Sequence, residues 1–186
     1  MRKNFGSKPW CYPQPVFILA AYDKDGEPNA MNVAWGGIFY DDQIAMCISA
    51  NHKTTANILE SKAFTVSMAD KAHLVGCDYV GIVSGNKVKD KFKKAGFTHV
   101  KSEFVNAPII NELPMTLECK LVSYDPEKCT LIGEIVNVSS DESILDENGK
   151  IDPAKLQPIT FDPVHNTYLA IGEKVGKAFG DGLKLR

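Results

Sequence analysis

Six stretches of strand length hold many of the chain's apolar residues, and what lies between them decides how they connect. Residues 16–22 (VFILAAY) are apolar without a break, the pattern of a strand buried on both faces. The reversal signal Asp25-Gly26 in DKDGEP predicts a hairpin, with a loop longer than the ideal two residues and a return strand over residues 30–35 that Gly36-Gly37 halts. Residues 44–49 (IAMCIS) are again apolar enough for burial on both faces, and residues 63–69 (AFTVSMA) give a fourth strand. The two longest signals, residues 115–124 (MTLECKLVSY) and 130–139 (TLIGEIVNVS), flank the turn residues DPEK. In the first of these, Thr116, Glu118 and Lys120 alternate with Leu117, Cys119 and Leu121, which predicts one polar face and one packed face, as in an antiparallel sheet.

Helices are few and short on this reading. Thr54, Thr55 and Asn57 precede Ile58 and Leu59 in the manner of a short capped helix. Residues 71–96 are lysine-rich, and the spacing of Ala72, Leu74 and Val75, then of Val88, Phe92 and Ala95, predicts two short helices around turns at Gly81 and Gly85. Charge and turn residues crowd residues 141–163, which predicts a surface excursion, and beyond Tyr168 the glycines at 172, 176, 180 and 182 weaken any helix. With too few helices to supply βαβ crossovers, a closed or partly closed antiparallel barrel with short helices is favoured over a doubly wound sheet.

Length and composition narrow the possibilities. A chain of 186 residues suits one domain, 1–186, with a self-sufficient core, and 44% hydrophobic against 24% charged residues excludes a disordered or fibrous protein. A net charge of −2 gives no electrostatic case for a nucleic-acid partner. The local run Lys87, Lys89, Lys91, Lys93 and Lys94 reads either as a solvated helix face or as a site for an anion or partner. Five cysteines without a CxxC pair suggest neither a disulfide framework nor a zinc site, and fit reduced thiols in the cytoplasm. Pro9, Pro13 and Pro15 interrupt the basic N-terminal stretch before it gains the body of a signal peptide. Every apolar run breaks well short of about 18 residues, so no membrane span is expected.

Candidate chemistry is narrow. The sequence contains no GxGxxG, Walker loop, HExxH or GxSxG, and its four histidines, His52, His73, His99 and His165, stand apart from one another, which argues against a metal site. Two clusters remain. Residues 49–57 (SANHKTTAN) leave a buried strand and enter a helix, so free backbone N–H groups, hydroxyls and the Lys53 ammonium could converge on a phosphate; a plain threonine cap beside an exposed lysine explains the same residues. Residues 32–37 (NVAWGG) end a strand with an aromatic and two glycines, which suits the close approach of a flat ligand, or equally a bulged strand end with a core tryptophan.

Taken together, YPQPVFILAAYDKDGEPNAMNVAWGG, CISANHKTTANI, FTVSMA, CDYVGIVSG, LPMTLECKLVSY and LIGEIVNV, in that order across nearly the whole chain, closely resemble the flavoredoxin-type branch of the flavin reductase-like, FMN-binding split-barrel family. The resemblance implies a mainly β protein with short helices, a six-stranded antiparallel split β-barrel that forms a homodimer and holds FMN in a groove near the subunit interface. It places Asn32, Val33, Ala34 and Trp35 along the flavin ring, Ser49 and Ala50 on the neighbouring strand, and Lys53, Thr54 and Asn57 at the phosphate. Cys77, Asp78 and Tyr79 with Ser84, Gly85 and Lys91 resemble the family's second contact region. His52-Lys53 stands where many relatives carry an arginine or another residue, which affects the strength of phosphate binding and not its sign. Cys77 beside a flavin would invite a redox role, but a cysteine without a neighbouring cysteine serves more often as a small buried hydrophobe.

The implied function is FMN-dependent oxidation and reduction, as an electron carrier or an oxidoreductase, with NAD(P)H or a reduced partner protein as donor. No side chain need act as acid or base, because the flavin carries the chemistry. Alternatives are a flavin reductase supplying free reduced flavin to a monooxygenase, and a split-barrel binding module without redox activity. The glycine-rich tail, with Tyr168 at its base as a stacking residue, either closes over the flavin or packs on the partner subunit.

Overall fold

The computed structural model describes all 186 residues. After a two-residue strand, β1 (Gln14–Pro15), the chain enters β2 (Phe17–Tyr22), in which every residue is buried. Two cores explain that unbroken apolar run. Phe17, Leu19 and Ala21 point into one cluster with Ile44, Phe64 and Leu131, whereas Val16, Ile18 and Ala20 join a second with Cys77, Val80, Phe92 and Ile110. Alternate side chains of a strand face opposite sides, so a strand packed on both sides has no polar position.

The hairpin return is β3 (Pro28–Val33), paired antiparallel with β2 from Phe17↔Val33 to Tyr22↔Pro28. Gly36-Gly37 does not halt a strand, as the sequence suggests, but begins one, β4 (Gly36–Tyr40), which turns back into β5 (Gln43–Cys47). Helix α1 (Lys53–Ser61) follows, then β6 (Ala63–Met68), α2 (Leu74–Ile82) and α3 (Lys91–Lys94). Gly81 lies inside α2 and not at a turn; there the helix crosses β3 so closely that an added Cβ would come within 3.0 Å of the Asn32 Cβ. A small two-stranded ribbon, β7 (His99–Lys101) with β8 (Pro108–Ile110), leads to the long pair β9 (Met115–Asp125) and β10 (Thr130–Ser140).

These strands make one antiparallel sheet of order β3-β2-β6-β9-β10-β5-β4. Its two edge strands, β3 and β4, are separated in sequence only by Ala34 and Trp35. Two residues span at most about 7 Å, so the end of one edge strand lies close to the start of the other and the sheet curls into a split barrel. Counted as one bent strand, β3–β4 gives the six strands of the sequence reading.

The polar face of β9 is solvated at Lys120 but not before it. Thr116 and Glu118 are buried beneath residues 98–113, where the Ser67 and Thr116 hydroxyls share a 2.8 Å hydrogen bond, Thr65 Oγ1 donates to the Pro108 carbonyl at 2.6 Å, and Asn137 Nδ2 donates to Glu118 Oε1 at 2.7 Å. Polar alternation there reflects a hydrogen-bonded layer contact, since buried polar groups must be paired.

Residues 141–163 are more than a surface excursion. Ile144, Leu156 and Ile159 are buried, α4 (Pro153–Leu156) has Asp152 as its cap, and β11 (Ile159–Asp162) pairs with β1 and with β12 (Thr167–Ala170). Single apolar residues among charges carry no period, which is why the pattern misses them. Beyond β12 the tail is exposed and irregular apart from one 3-10 turn, Asp181–Leu185. No helix is long and apolar enough to cross a membrane.

Packing inside the barrel leaves no room at Gly133, where a Cβ would come within 2.3 Å of the fully buried Phe64 ring. Gly133→Ala is expected to destabilise the protein by about 1–3 kcal/mol, the usual cost of overpacking, and urea denaturation would measure it; an unchanged midpoint would show that the strand pair yields freely.

Candidate functional site

A cleft of about 680 Å³ opens where β3 and the Ala34–Trp35 corner meet the start of α1, the end of α2 with the loop after it, and the β11–β12 hairpin. Its two ends differ in chemistry.

One end is cationic. His52, the N-cap of α1, makes no side-chain cap, and the first backbone bond of the helix runs from Ala56 N–H to the His52 carbonyl at 3.1 Å. Thr54 and Thr55 sit within the first turn and do not cap it, contrary to the capped-helix expectation, because the helix starts at Lys53. The N–H groups of the first turn thus lack intrahelical partners, and no acidic residue sits among them. Such a terminus favours an anion. Thr54 Oγ1 accepts a 2.6 Å hydrogen bond from Asn29 Nδ2, which leaves its hydroxyl hydrogen free to donate into the cleft. Gly85 closes the same wall: an added Cβ would lie 2.3 Å from Asn29 Oδ1.

Two lysines reach this end. Lys53 Nζ is 3.3 Å from Asp23 Oδ2, so part of its charge is already compensated. Lys91 is only 3% exposed yet lines the cleft, and it belongs to none of the protein's ion pairs. Burial lowers its pKa from 10.5 to about 8. His52 beside it is held below its usual value, first by burial and then by the Lys91 charge.

The other end is aromatic. Trp35 and Phe161 have ring centroids 6.4 Å apart, Phe161 and Tyr168 6.1 Å, and all three line the cleft. Tyr168 donates its hydroxyl to Asp78 Oδ1 at 2.7 Å, and burial with this bond raises its pKa, so the phenol stays protonated. Asn32 Nδ2 donates to the Cys77 carbonyl at 3.1 Å, which pins β3 to α2 along the floor. Ala34 and Trp35 belong to neither strand ladder, although the Trp35 carbonyl accepts a 2.8 Å hydrogen bond from the Cys47 N–H of β5.

Of the residues singled out from sequence, Asn32, Val33, Ala34, Trp35, Lys53, Thr54, Asp78, Ser84, Gly85, Lys91 and Tyr168 meet in this one cleft. Ser49, Ala50, Asn57 and Cys77 do not line it. Ser49 and Ala50 lie in the turn before α1, where the Ser49 carbonyl accepts from Thr55 Oγ1 at 2.9 Å. Asn57 is one turn too deep in α1; it is buried and donates to the Ala21 carbonyl. Cys77 is buried in the second core, and burial pushes its thiol up to about 12. Asn29, Cys47 and Phe161 line the cleft without having been anticipated, and His52, read from sequence only as the neighbour of Lys53, lines it too. A buried asparagine in an apolar strand is a usable signal for Asn29, whereas Phe161 lies in the stretch that reads as surface.

The flavin reductase like domain model matches residues 10–160. The chain belongs to that family. Among solved structures, this flavin reductase-like chain is similar to the flavoredoxin of Desulfovibrio vulgaris (Miyazaki F), with 40% identity, 98% of this chain and 100% of the other covered, and a TM-score of 0.93. It is also similar to the flavoredoxin of Methanosarcina acetivorans, at 28% identity with full coverage of both chains and a TM-score of 0.90. The FMN-binding domain of a flavin reductases-like enzyme from Shewanella baltica shares the fold at 20% identity, 88% and 89% coverage and a TM-score of 0.78.

The buried Lys91 makes a checkable demand on the flavin reductase-like fold. Its folded pKa of about 8 lies below the ordinary 10.5, so between these values the unfolded chain binds a proton that the folded one lacks, and stability contributed by this group rises with pH. Lys91→Met is expected to remove that rise and to stabilise the ligand-free protein near pH 7 by about 1–3 kcal/mol. Urea titrations of both proteins at pH 7 and pH 10 check this; parallel shifts would mean that the ammonium is freely solvated.

Proposed function

We propose that the cleft binds FMN and that the protein uses it for electron transfer. The observation that carries this reading is the pairing of ends: a buried, uncompensated Lys91 beside an uncapped helix N-terminus, and an aromatic wall at the far side of the same cleft. A planar aromatic ligand bearing a terminal phosphate complements both. Family membership and the similarity to two flavoredoxins support it. FMN, when bound, supplies acceptance and release of a hydride or of single electrons.

The chain's own residues divide the remaining work. Lys91, the Thr54 hydroxyl and the first-turn N–H groups of α1 hold the phosphate, with Lys53 as a weaker contributor because Asp23 already engages it. Val33 and the backbone of Ala34 and Trp35 run along the ring edge, while Trp35 and Phe161 exclude water from it. Tyr168, held by Asp78, keeps its proton and offers no base. Nicotinamide donors would have to lie on the open side of the cleft, since the chain has no glycine-rich dinucleotide turn, and their binding would be weak.

A homodimer belongs to the same proposal. Ile38, Phe39 and Tyr40 on the edge strand β4 are 69%, 59% and 69% exposed and adjoin the Trp35 corner of the cleft. Such an apolar edge favours a covering partner, and a second copy would cover it beside the ligand.

The purified protein should be yellow, or become so on adding FMN, and should prefer FMN to riboflavin. Lys91→Met should weaken FMN by about 1–3 kcal/mol, the scale of a lost charge-assisted hydrogen bond, and Lys53→Ala by less, with riboflavin unaffected in both. FMN affinity should fall as pH rises through about 8, because binding then requires Lys91 to take up a proton. Fluorescence titration reads all three, and equal losses for the two flavins would refute the phosphate assignment. Light scattering should give about twice the 20.4 kDa chain mass; a monomer that still holds FMN would refute the shared interface.

A further inference from the structure

Residues 84–94 (SGNKVKDKFKK) contain five lysines and one aspartate, a net +4 in a chain of net −2, which leaves −6 on all the rest. Lys91 turns inward to the cleft, whereas Lys87, Lys89, Lys93 and Lys94 are exposed. Lys94 lies 3.1 Å from Asp90, but Lys87, Lys89 and Lys93 have no ion-pair partner. The segment is continuous with the cleft, since Ser84, Gly85 and Lys91 line it and Asn86 Nδ2 donates to the Asn51 carbonyl at 3.0 Å, just before α1. Beside these lysines, the outer face of α2 presents Val75 and Ile82, 80% and 74% exposed, and Ile82 reaches the cleft mouth.

An apolar centre with a polar, charged rim is the anatomy of a protein interface, and brief redox encounters use small ones. The lysines stand apart on an exposed turn and a four-residue helix, with no enclosing wall and no aromatic platform among them, so they do not form a pocket for a small anion. Their effect is long-ranged. Positive charge at the cleft mouth and negative charge over the rest of the molecule orient an approaching acidic surface toward the cleft. We propose that the Lys87, Lys89, Lys93 and Lys94 face, centred on Ile82, docks an acidic one-electron carrier protein that delivers electrons to the cleft. This rests on the flavin reading above. Each encounter oxidises the carrier by one electron, and two encounters with two protons from solvent reduce the flavin fully.

The test uses the FMN-loaded full-length protein and a reduced plant-type [2Fe–2S] ferredoxin as the acidic donor, with photoreduced 5-deazariboflavin as a small neutral donor. Flavin bleaching in rapid mixing should slow at least tenfold with ferredoxin between low and high salt, and be insensitive to salt with the neutral donor. The triple variant K87E/K89E/K93E should bind FMN normally, react with ferredoxin at least tenfold more slowly at low salt, and keep its rate with the neutral donor. Equal slowing with both donors, no salt dependence, or an unchanged ferredoxin rate in the variant would overturn the docking face. With NADPH as a third donor, slowing confined to NADPH would assign the lysines to a nucleotide and overturn it as well. A protein that cannot be loaded with FMN at all would instead refute the flavin reading, and the docking proposal would fall with it.

Discussion

Two residues, Ala34 and Trp35, join opposite edges of a seven-strand ladder, and the short step between them forces the sheet to curl. Everything else is arranged around that corner. Because β3 ends and β4 begins there, the backbone between them belongs to neither ladder and is exposed at the cleft. The barrel interior is filled by Leu19, Ile44, Phe64, Val66 and Leu131, so no ligand can enter it. The open cleft lies outside, on the seam where the edges meet and where α1, α2 and the β11–β12 hairpin build walls.

Charge placement at the seam runs against stability. An ammonium that is nearly buried and has no carboxylate beside it costs free energy in the ligand-free fold, and the α1 terminus next to it adds unpaired N–H dipoles of the same sign. Both are relieved by one anion. Lys53 shows the contrast: with Asp23 at 3.3 Å its charge already has a partner within the fold. What sets the cleft apart is thus a buried cation left without a partner, not the number of cations.

The barrel strands were legible because β2, packed on both sides, and β5 read as continuous apolar runs and β9 as a period of two. The corner was not. Gly36-Gly37 is a sound stop signal locally, and only the pairing of β4 with β5 turns it into a start. Thr116 and Glu118 read as a solvated face because a period of two cannot tell water from a polar layer contact. At the site, residues near the strand corner and the α1 start were readable from local chemistry and family resemblance. Phe161 was not, since β11 is a four-residue strand in a charged stretch with no period of its own. Asn57 and Cys77 lie outside the cleft for a simpler reason: spacing along a helix does not say which turn faces it.

The cleft draws its walls from residue 29 to residue 168, so it cannot exist in part of the chain. A nascent polypeptide that ends at Lys91 already carries every group of the cationic end, but the barrel that holds them apart awaits β9 and β10, and the aromatic wall awaits Phe161 and Tyr168. Contacts so distant in sequence form late. The whole cleft is therefore assembled only when synthesis is nearly complete, and a chain truncated before β11 would leave the ribosome with the groups of the cationic end but only Trp35 of the aromatic one.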